Sequence, residues 1–252
     1  MMALSVILLA AGYATRLYPL TKDRPKTLLP LGRGVILDAV YEAVCGVPDV
    51  QRVILVTNHR FADQFLAWQR TCAAPVQVLD DGTDTAENRL GAIRDLALAH
   101  RLTDATDDLL VLGTDNLFGW PLADFVTRAQ RYRPDPSVAL WEAPSKEAVT
   151  QFGVAIRDGT SRITAFVEKS PQPPSTEVAL CVYYFPSVMC GKIQQFLDQG
   201  GNADAPGYFI EWLVRTGVVY GVPMAGAWYD IGTLETYRAV VDEWQLKVEG
   251  GR

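Results

Sequence analysis

Short runs of aliphatic residues alternate with longer segments of helical period along the first half of the chain. The runs are too short for helices and end at polar or turn residues, which is typical of buried strands in a parallel sheet. Strands are predicted at Ser5–Ala10, Val53–Thr57, Val76–Asp80 and Leu109–Gly113. Helices are predicted at Ile36–Val44, Ala62–Cys72, Leu90–Arg101 and Leu122–Arg131. This alternation indicates right-handed βαβ units, and therefore an open sheet with helices on both faces.

After Pro134 the pattern changes to strand-like segments separated by Gly, Pro and Ser, which favours antiparallel pairing. Strands are predicted there at Ser137–Glu142, Gly153–Arg157, Arg162–Glu168 and Val178–Phe185, followed by helices at Tyr208–Thr216 and Leu234–Val248. The fold class that follows is α/β: a three-layer α/β/α sandwich with a Rossmann-like, mostly parallel sheet. We predict a single domain over residues 1–252 with two halves, 1–133 and 134–252.

Composition narrows the class of protein. The chain has 252 residues, with 23 basic and 29 acidic side chains and a net charge of −6. Without runs of Lys or Arg, this charge argues against nucleic-acid or anionic-membrane partners. The apolar run at the start has no preceding cation and no run reaches 18 residues, so a buried strand is expected there rather than a signal peptide or membrane span. Four cysteines without metal spacing and two histidines indicate reduced thiols, no zinc site and a cytoplasmic protein.

The first predicted strand leads into a loop of small residues that is followed by two cations. The loop reads Gly12-Tyr13-Ala14-Thr15-Arg16, and Lys26 lies ten residues beyond Arg16. Small residues let backbone N–H groups approach a polyphosphate, and cations neutralise charge that shifts during phosphoryl or nucleotidyl transfer. A Rossmann dehydrogenase would need GxGxxG, and only Gly12 is present. A Walker A loop would need Gly-Lys followed by Ser or Thr, which does not occur.

The segment from Leu9 to Pro30 resembles a family signature, LAGGxGTRLxPxTxxxPKxLLP, of the NTP-dependent sugar-1-phosphate nucleotidyltransferases, such as the glucose-1-phosphate thymidylyl- and uridylyltransferases. Ala11 and Ala14 replace two of its glycines. Because Ala14 carries a Cβ where the backbone approaches the triphosphate, we expect its φ to be negative or the loop to be shifted. The resemblance implies the nucleotide-diphospho-sugar transferase fold, with nucleotide contacts from Leu9, Ala11, Gly12, Tyr13, Ala14, Thr15, Leu90 and Gly91.

Two carboxylates further along the chain match the same family. Asp115 follows the fourth strand, and Asp230 lies in Trp228-Tyr229-Asp230-Ile231-Gly232-Thr233, which resembles W-x-D-x-G-T. The resemblance implies that both bind Mg²⁺, an ion that takes one or two carboxylates and completes its shell with phosphate oxygens. Asp115 could instead cap the following helix. The resemblance also implies a sugar-phosphate pocket formed by Gly153, Glu168, Lys169 and Trp228.

The implied reaction joins an NTP to a sugar 1-phosphate and releases pyrophosphate, with Mg²⁺ as cofactor. Arg16 and Lys26 are the implied catalytic residues, residues 1–133 the nucleotide-binding half and residues 134–252 the sugar-phosphate-binding half. The segment from Asp80 to Ala92 departs from the family at the position that holds the base, so the base stays open. Two alternatives also remain: cytidylyl transfer to phosphocholine or inositol phosphate, and binding of nucleotide or sugar phosphate without turnover. The oligomeric state is open, a homo-oligomer included.

Overall fold

The computed structural model describes residues 3–250, with the side chains of the last helix described as far as residue 244. Every predicted strand and helix has a counterpart, with small shifts at the ends. The described strands are β1 (Leu4–Leu9), β2 (Pro30–Leu31), β3 (Gly34–Val35), β4 (Val50–Thr57), β5 (Gln77–Asp80), β6 (Asp108–Gly113), β7 (Asn116–Phe118), β8 (Ser137–Glu142), β9 (Gly153–Arg157), β10 (Ile163–Glu168), β11 (Glu177–Phe185), β12 (Tyr220–Pro223) and β13 (Trp228–Asp230). The described α-helices are α1 (Ile36–Cys45), α2 (Ala62–Gln69), α3 (Ala92–His100), α4 (Leu122–Ala129), α5 (Gly191–Asp198), α6 (Pro206–Thr216) and α7 (Leu234–Gly250).

A nine-stranded sheet joins the two halves of the chain. Its main path runs β10-β9-β11-β6-β1-β4-β5, and β8 pairs with both β11 and β12 beside this path. The strands of the first half pair in parallel, as the βαβ pattern predicts. Antiparallel pairing begins where β11 meets β6. The carboxyl ends of β1 and β6 therefore lie next to each other near the centre of the sheet, where ligands bind in open α/β folds.

Helices cover both faces of the sheet, because alternate residues of the buried strands point to opposite sides. On β1, Val6 and Leu8 pack in a core with residues of α1, α2 and α4. Ile7, between them, packs in a second core with residues of α3, α5 and α6. The predicted three-layer, mostly parallel architecture is confirmed. No helix in residues 3–250 combines the length and apolar character needed to cross a membrane.

A short ribbon outside the main sheet was not predicted. In it β7 pairs antiparallel with β13, and Asp230 lies opposite Asn116. Each strand has three residues, too few to show a two-residue period, and the partner is more than a hundred residues away. The backbone N–H of Ile231 also donates to the carbonyl of Asp115, at 3.1 Å. The ribbon thus brings the two predicted metal-binding carboxylates to the same edge of the sheet.

Candidate active site

Two connected hollows lie beyond the carboxyl ends of β1 and β6. The larger, about 510 Å³, is lined by the loop after β1 and by the start of α3. The smaller, about 250 Å³, is lined by the ends of β9 and β10 and by the ribbon. Arg16, Asp115, Cys181 and Pro206 line both hollows. The two hollows therefore form one cleft with a junction at these four residues.

The loop after β1 forms one wall of the larger hollow and is held by hydrogen bonds to its backbone. Thr21 Oγ1 donates to the carbonyl of Ala14 at 2.8 Å, and Asn58 Nδ2 donates to that of Ala11 at 3.0 Å. Of the eight residues implied as nucleotide contacts, Leu90 alone lies outside this hollow; it lines a separate depression beside Arg94. The other seven line the larger hollow: Leu9, Ala11, Gly12, Tyr13, Ala14, Thr15 and Gly91.

Ala14 adopts a conformation that the sequence did not predict. Its φ is +49° and its ψ +42°, so the expected negative φ is wrong. An L-residue in this left-handed region brings its Cβ close to the following carbonyl oxygen, which costs about 1–2 kcal/mol. The backbone here keeps a turn that suits glycine, and alanine is strained within it. The hydrogen bond from Thr21 and another from the N–H of Leu17, at 3.0 Å, hold the Ala14 carbonyl in place.

Lys26 and Asp115 form an ion pair at the junction of the hollows. Lys26 Nζ lies 2.6 Å from Asp115 Oδ2, and the side chains are 14% and 32% exposed. Asn116 Nδ2 donates to Asp115 Oδ1 at 2.8 Å, and Trp228 Nε1 donates to Asn116 Oδ1 at 2.8 Å. Burial raises the pKa of Asp115, but Lys26 outweighs it and the net direction is down. Asp115 is an ionised carboxylate held in the cleft, and α4, which begins at Leu122, is not capped by it.

Asp230 lies close enough to Asp115 for the two charges to interact. Burial, followed by repulsion from Asp115, raises the pKa of Asp230 to about 6, although Lys26 and Arg16 oppose the shift. A Cβ at Gly232 would lie 2.8 Å from Asp230 Oδ2 and 3.9 Å from Arg16 Nη2, so the absence of a side chain there makes room for both groups. Arg16, Lys26 and the two carboxylates therefore share one small volume at the junction.

This arrangement fits a magnesium ion that is bound together with substrate. The two carboxylates repel each other, and a divalent cation would remove that repulsion. Among the side chains that the structure describes, residues 3–244, no three His, Cys, Asp or Glu side chains converge to hold a metal by themselves. Mg²⁺ commonly completes its shell with substrate phosphates and water, so Asp115 and Asp230 can provide the protein share of such a site.

The smaller hollow contains the four residues implied for the sugar phosphate: Gly153, Glu168, Lys169 and Trp228. The side chain of Glu168 is 7% exposed, and burial raises its pKa although Lys169 opposes the shift. A Cβ at Gly207, in the first turn of α6, would overlap Glu168, which explains a glycine there. Lys169 has a φ of +51°, so a second strained residue lies in the cleft.

Several residues of the cleft were not among the predicted site residues. Phe152 packs edge-on against Trp228, with ring centroids 5.2 Å apart, and Tyr183 lines the same hollow. Asn116 could have been singled out, because it follows Asp115 directly and bonds to it. Nothing in the sequence marks Asp95, a buried carboxylate in α3 that lines the larger hollow.

Comparisons with known proteins find relatives that match most of this chain. The chain is 29% identical over 235 residues to a mannose-1-phosphate guanylyltransferase catalytic subunit beta of Danio rerio, covering 91% of this chain and 61% of that protein. It is 27% identical over 187 residues to a UTP–glucose-1-phosphate uridylyltransferase of Haloferax volcanii, covering 72% of each. It spans 61–62% of the length of its guanylyltransferase relatives.

Among solved structures, apo UDP-glucose pyrophosphorylase has a similar fold, with a TM-score of 0.83 at 18% identity over 98% of this chain and 100% of that one. The family comparison goes further, because it matches residues 5–245 and so includes the loop, both carboxylates and the whole cleft. The chain therefore belongs to the nucleotidyl transferase family.

Proposed function

We propose that the protein is an Mg²⁺-dependent sugar-1-phosphate nucleotidyltransferase, which joins an NTP and a sugar 1-phosphate into an NDP-sugar and releases pyrophosphate. The observation that carries this proposal is the single cleft, in which a backbone-lined hollow and a hollow of aromatic and charged side chains meet at Arg16 and Asp115. A protein that binds only a nucleotide, or only a sugar phosphate, would need one of these hollows. Two hollows that meet at a cluster of cations and carboxylates suit transfer from one ligand to another.

In the proposed reaction a phosphate oxygen of the acceptor attacks the α-phosphorus of the NTP. A bond forms between that oxygen and the α-phosphorus, while the bond from the α-phosphorus to the bridging oxygen breaks and pyrophosphate leaves with the electron pair. The acceptor phosphate is already ionised at neutral pH, so no general base is needed. Positioning and charge neutralisation therefore provide the catalysis.

We propose roles in this scheme for the charged residues of the cleft. Arg16 would neutralise the departing pyrophosphate, whose charge grows as the bond breaks. Lys26, held at the junction by Asp115, would face the α-phosphate and the attacking phosphate. Asp115 and Asp230 would hold Mg²⁺, which when bound supplies further positive charge to the phosphates.

The smaller hollow supports a sugar phosphate as acceptor. The buried Glu168 carboxylate can accept hydrogen bonds from sugar hydroxyls, and Lys169 can pair with the phosphate monoester. Trp228 and Phe152 offer apolar ring surface for a pyranose. The named relatives act on mannose 1-phosphate and glucose 1-phosphate, which makes hexose 1-phosphates the first acceptors to test.

Pyrophosphate release with Mg²⁺ tests the proposal. A panel of five NTPs is combined with hexose 1-phosphates, phosphocholine and inositol phosphate, and products are identified by mass spectrometry. We expect an NDP-sugar with at least one hexose 1-phosphate. If only phosphocholine or inositol phosphate gave products, the acceptor would belong to that class and not to the hexose 1-phosphates. Tight binding of NTP without pyrophosphate release for any acceptor would contradict a catalytic function.

A further inference from the structure

Two aspartates that the proposed reaction does not use meet at the wall of the larger hollow. Asp81 follows β5, and Asp95 lies in the first turn of α3. Asp95 is 5% exposed and lines the hollow. The two carboxyl groups lie close enough for each to shift the pKa of the other. A proton held between them would replace the repulsion of two ionised carboxylates by a hydrogen bond.

The hydrogen bonds around the pair show where this proton fits. Asp81 Oδ2 and Asp95 Oδ1 are both buried, and neither has a hydrogen-bond partner. Asp81 Oδ1 accepts from the backbone N–H and from Oγ1 of Thr83, each at 2.7 Å. A proton shared between Asp81 Oδ2 and Asp95 Oδ1 would satisfy both buried oxygens. Burial raises the pKa of Asp95 to about 7, with Asp81 as the second cause, which agrees with one retained proton.

One oxygen of the pair then remains for a ligand. No hydrogen bond within the described part of the chain involves Asp95 Oδ2, and Asp95 lines the hollow from the helix side. With the shared proton on its other oxygen, Asp95 Oδ2 can only accept. A ligand group that meets it must therefore carry an N–H or O–H.

The position in the cleft indicates which part of a nucleotide would lie there. Arg16 and Asp115 line both hollows, whereas Asp95 lines the larger one alone. The phosphates belong at the junction with the cations, and a carboxylate pair would repel them. The nucleoside end of the molecule is therefore the part that can approach Asp95.

We propose that Asp95, positioned by Asp81, reads the base of the NTP and selects a base with an exocyclic amino group over uracil and thymine. Guanine, adenine and cytosine all present such an amino group. Uracil and thymine instead present carbonyl oxygens on both sides of a single N–H, and these oxygens are repelled by an acceptor. This inference rests on the proposed function, because it concerns the nucleotide of that reaction. With one proton shared, the pair keeps one negative charge, and a hydrogen bond to such an acceptor corresponds to about 10- to 100-fold in affinity.

Binding of GTP, ATP, CTP, UTP and dTTP in the presence of Mg²⁺ tests this inference by calorimetry. We expect the wild-type protein to bind at least one of GTP, ATP and CTP at least 10-fold tighter than UTP and dTTP. Asp95→Leu keeps a side chain of similar size and removes both oxygens, so it should reduce that preference by about 10-fold or more. Asp84→Asn is the matched control, because Asp84 is exposed, lies between β5 and α3 and does not line the hollow. This variant should leave the ratio unchanged.

The outcomes separate the inference from the proposed function. An unchanged ratio in Asp95→Leu, with the variant shown to be folded by its melting temperature, overturns the assignment of Asp95. A wild-type preference for UTP or dTTP overturns it without any variant. If Asp95→Leu alters the ratio of GTP to dGTP and not the ratio among bases, Asp95 contacts the ribose and base reading is refuted. If the wild-type protein binds none of the five nucleotides, the proposed function itself fails.

Discussion

Replacing the two junction carboxylates one at a time should change the stability of the ligand-free protein in opposite directions. Asp230 has its pKa raised from an ordinary value near 3.8 to about 6, chiefly by burial and then by Asp115. Asp115 has its pKa lowered, because Lys26 at 2.6 Å outweighs the effect of burial. Asparagine keeps the size of aspartate and removes the charge, so each variant reports what its charge does to the folded state.

The magnitudes follow from these two environments. Because its pKa is higher in the folded than in the unfolded state, ionised Asp230 destabilises the folded protein. This destabilisation is absent below about pH 4, grows as the pH rises and is complete above about pH 6. At 1.36 kcal/mol per pKa unit, Asp230→Asn should stabilise the protein by up to about 3 kcal/mol at pH 8 and by close to nothing at pH 4. Asp115→Asn leaves the Lys26 ammonium without its carboxylate and should destabilise by about 1.5–3 kcal/mol at pH 8.

Urea unfolding followed by tryptophan fluorescence, with a chelator present to remove Mg²⁺, measures both effects. Trp228 lies two residues from Asp230 and packs against Phe152, so it should report on the junction. Asp124→Asn, an exposed change at the start of α4, is the control and should shift stability by less than about 0.5 kcal/mol. The electrostatic reasoning would be refuted if both junction variants were stabilised or both destabilised. It would also be refuted if the stabilisation by Asp230→Asn did not decrease at low pH.

Other variants test the rest of the cleft. Ala14→Gly should stabilise the protein by about 1 kcal/mol, because relief of the left-handed strain exceeds the entropy that glycine adds to the unfolded chain; a lower melting temperature would contradict this. Arg16→Ala should slow turnover by ~10²–10³ with a smaller loss of NTP affinity, whereas Lys22→Ala, an exposed cation of the same loop, should leave turnover unchanged. Lys169→Ala should raise KM for the acceptor and spare NTP affinity; equal weakening of both ligands in calorimetry would refute the division into two hollows.

The sequence predicted the sheet and its helices because these depend on local patterns. The aliphatic run of β1 and the helical periods around it are visible within ten residues, and the loop signature is continuous. The family and fold derived from them are confirmed. The roles of individual residues in the cleft stay predictions, although the structure brings Arg16, Lys26, Asp115 and Asp230 together.

Features that depend on packing between distant segments could not be predicted. Asp81 and Asp95 approach each other because α3 packs on β1 and β4, next to the residues that follow β5, and neither position carries a motif. Leu90 precedes α3 and lines a separate depression beside Arg94 instead of the larger hollow, which a match of sequence letters could not reveal. The positive φ of Ala14 reflects hydrogen bonds to its carbonyl, and these compensate for a residue that does not favour the turn.

The ribbon of β7 and β13 affects the order in which the protein folds. It is closed by residues as far apart as Asn116 and Trp228, which are separated by 112 positions. In an unfolded chain, bringing such distant ends together costs about 4 kcal/mol of entropy, more than two strands of three residues can recover. The ribbon should therefore form only after the large sheet has brought both halves together. A folding intermediate could have an intact sheet while Asp115 and Asp230 are still apart, and hydrogen exchange of the Ile231 amide would report when they meet.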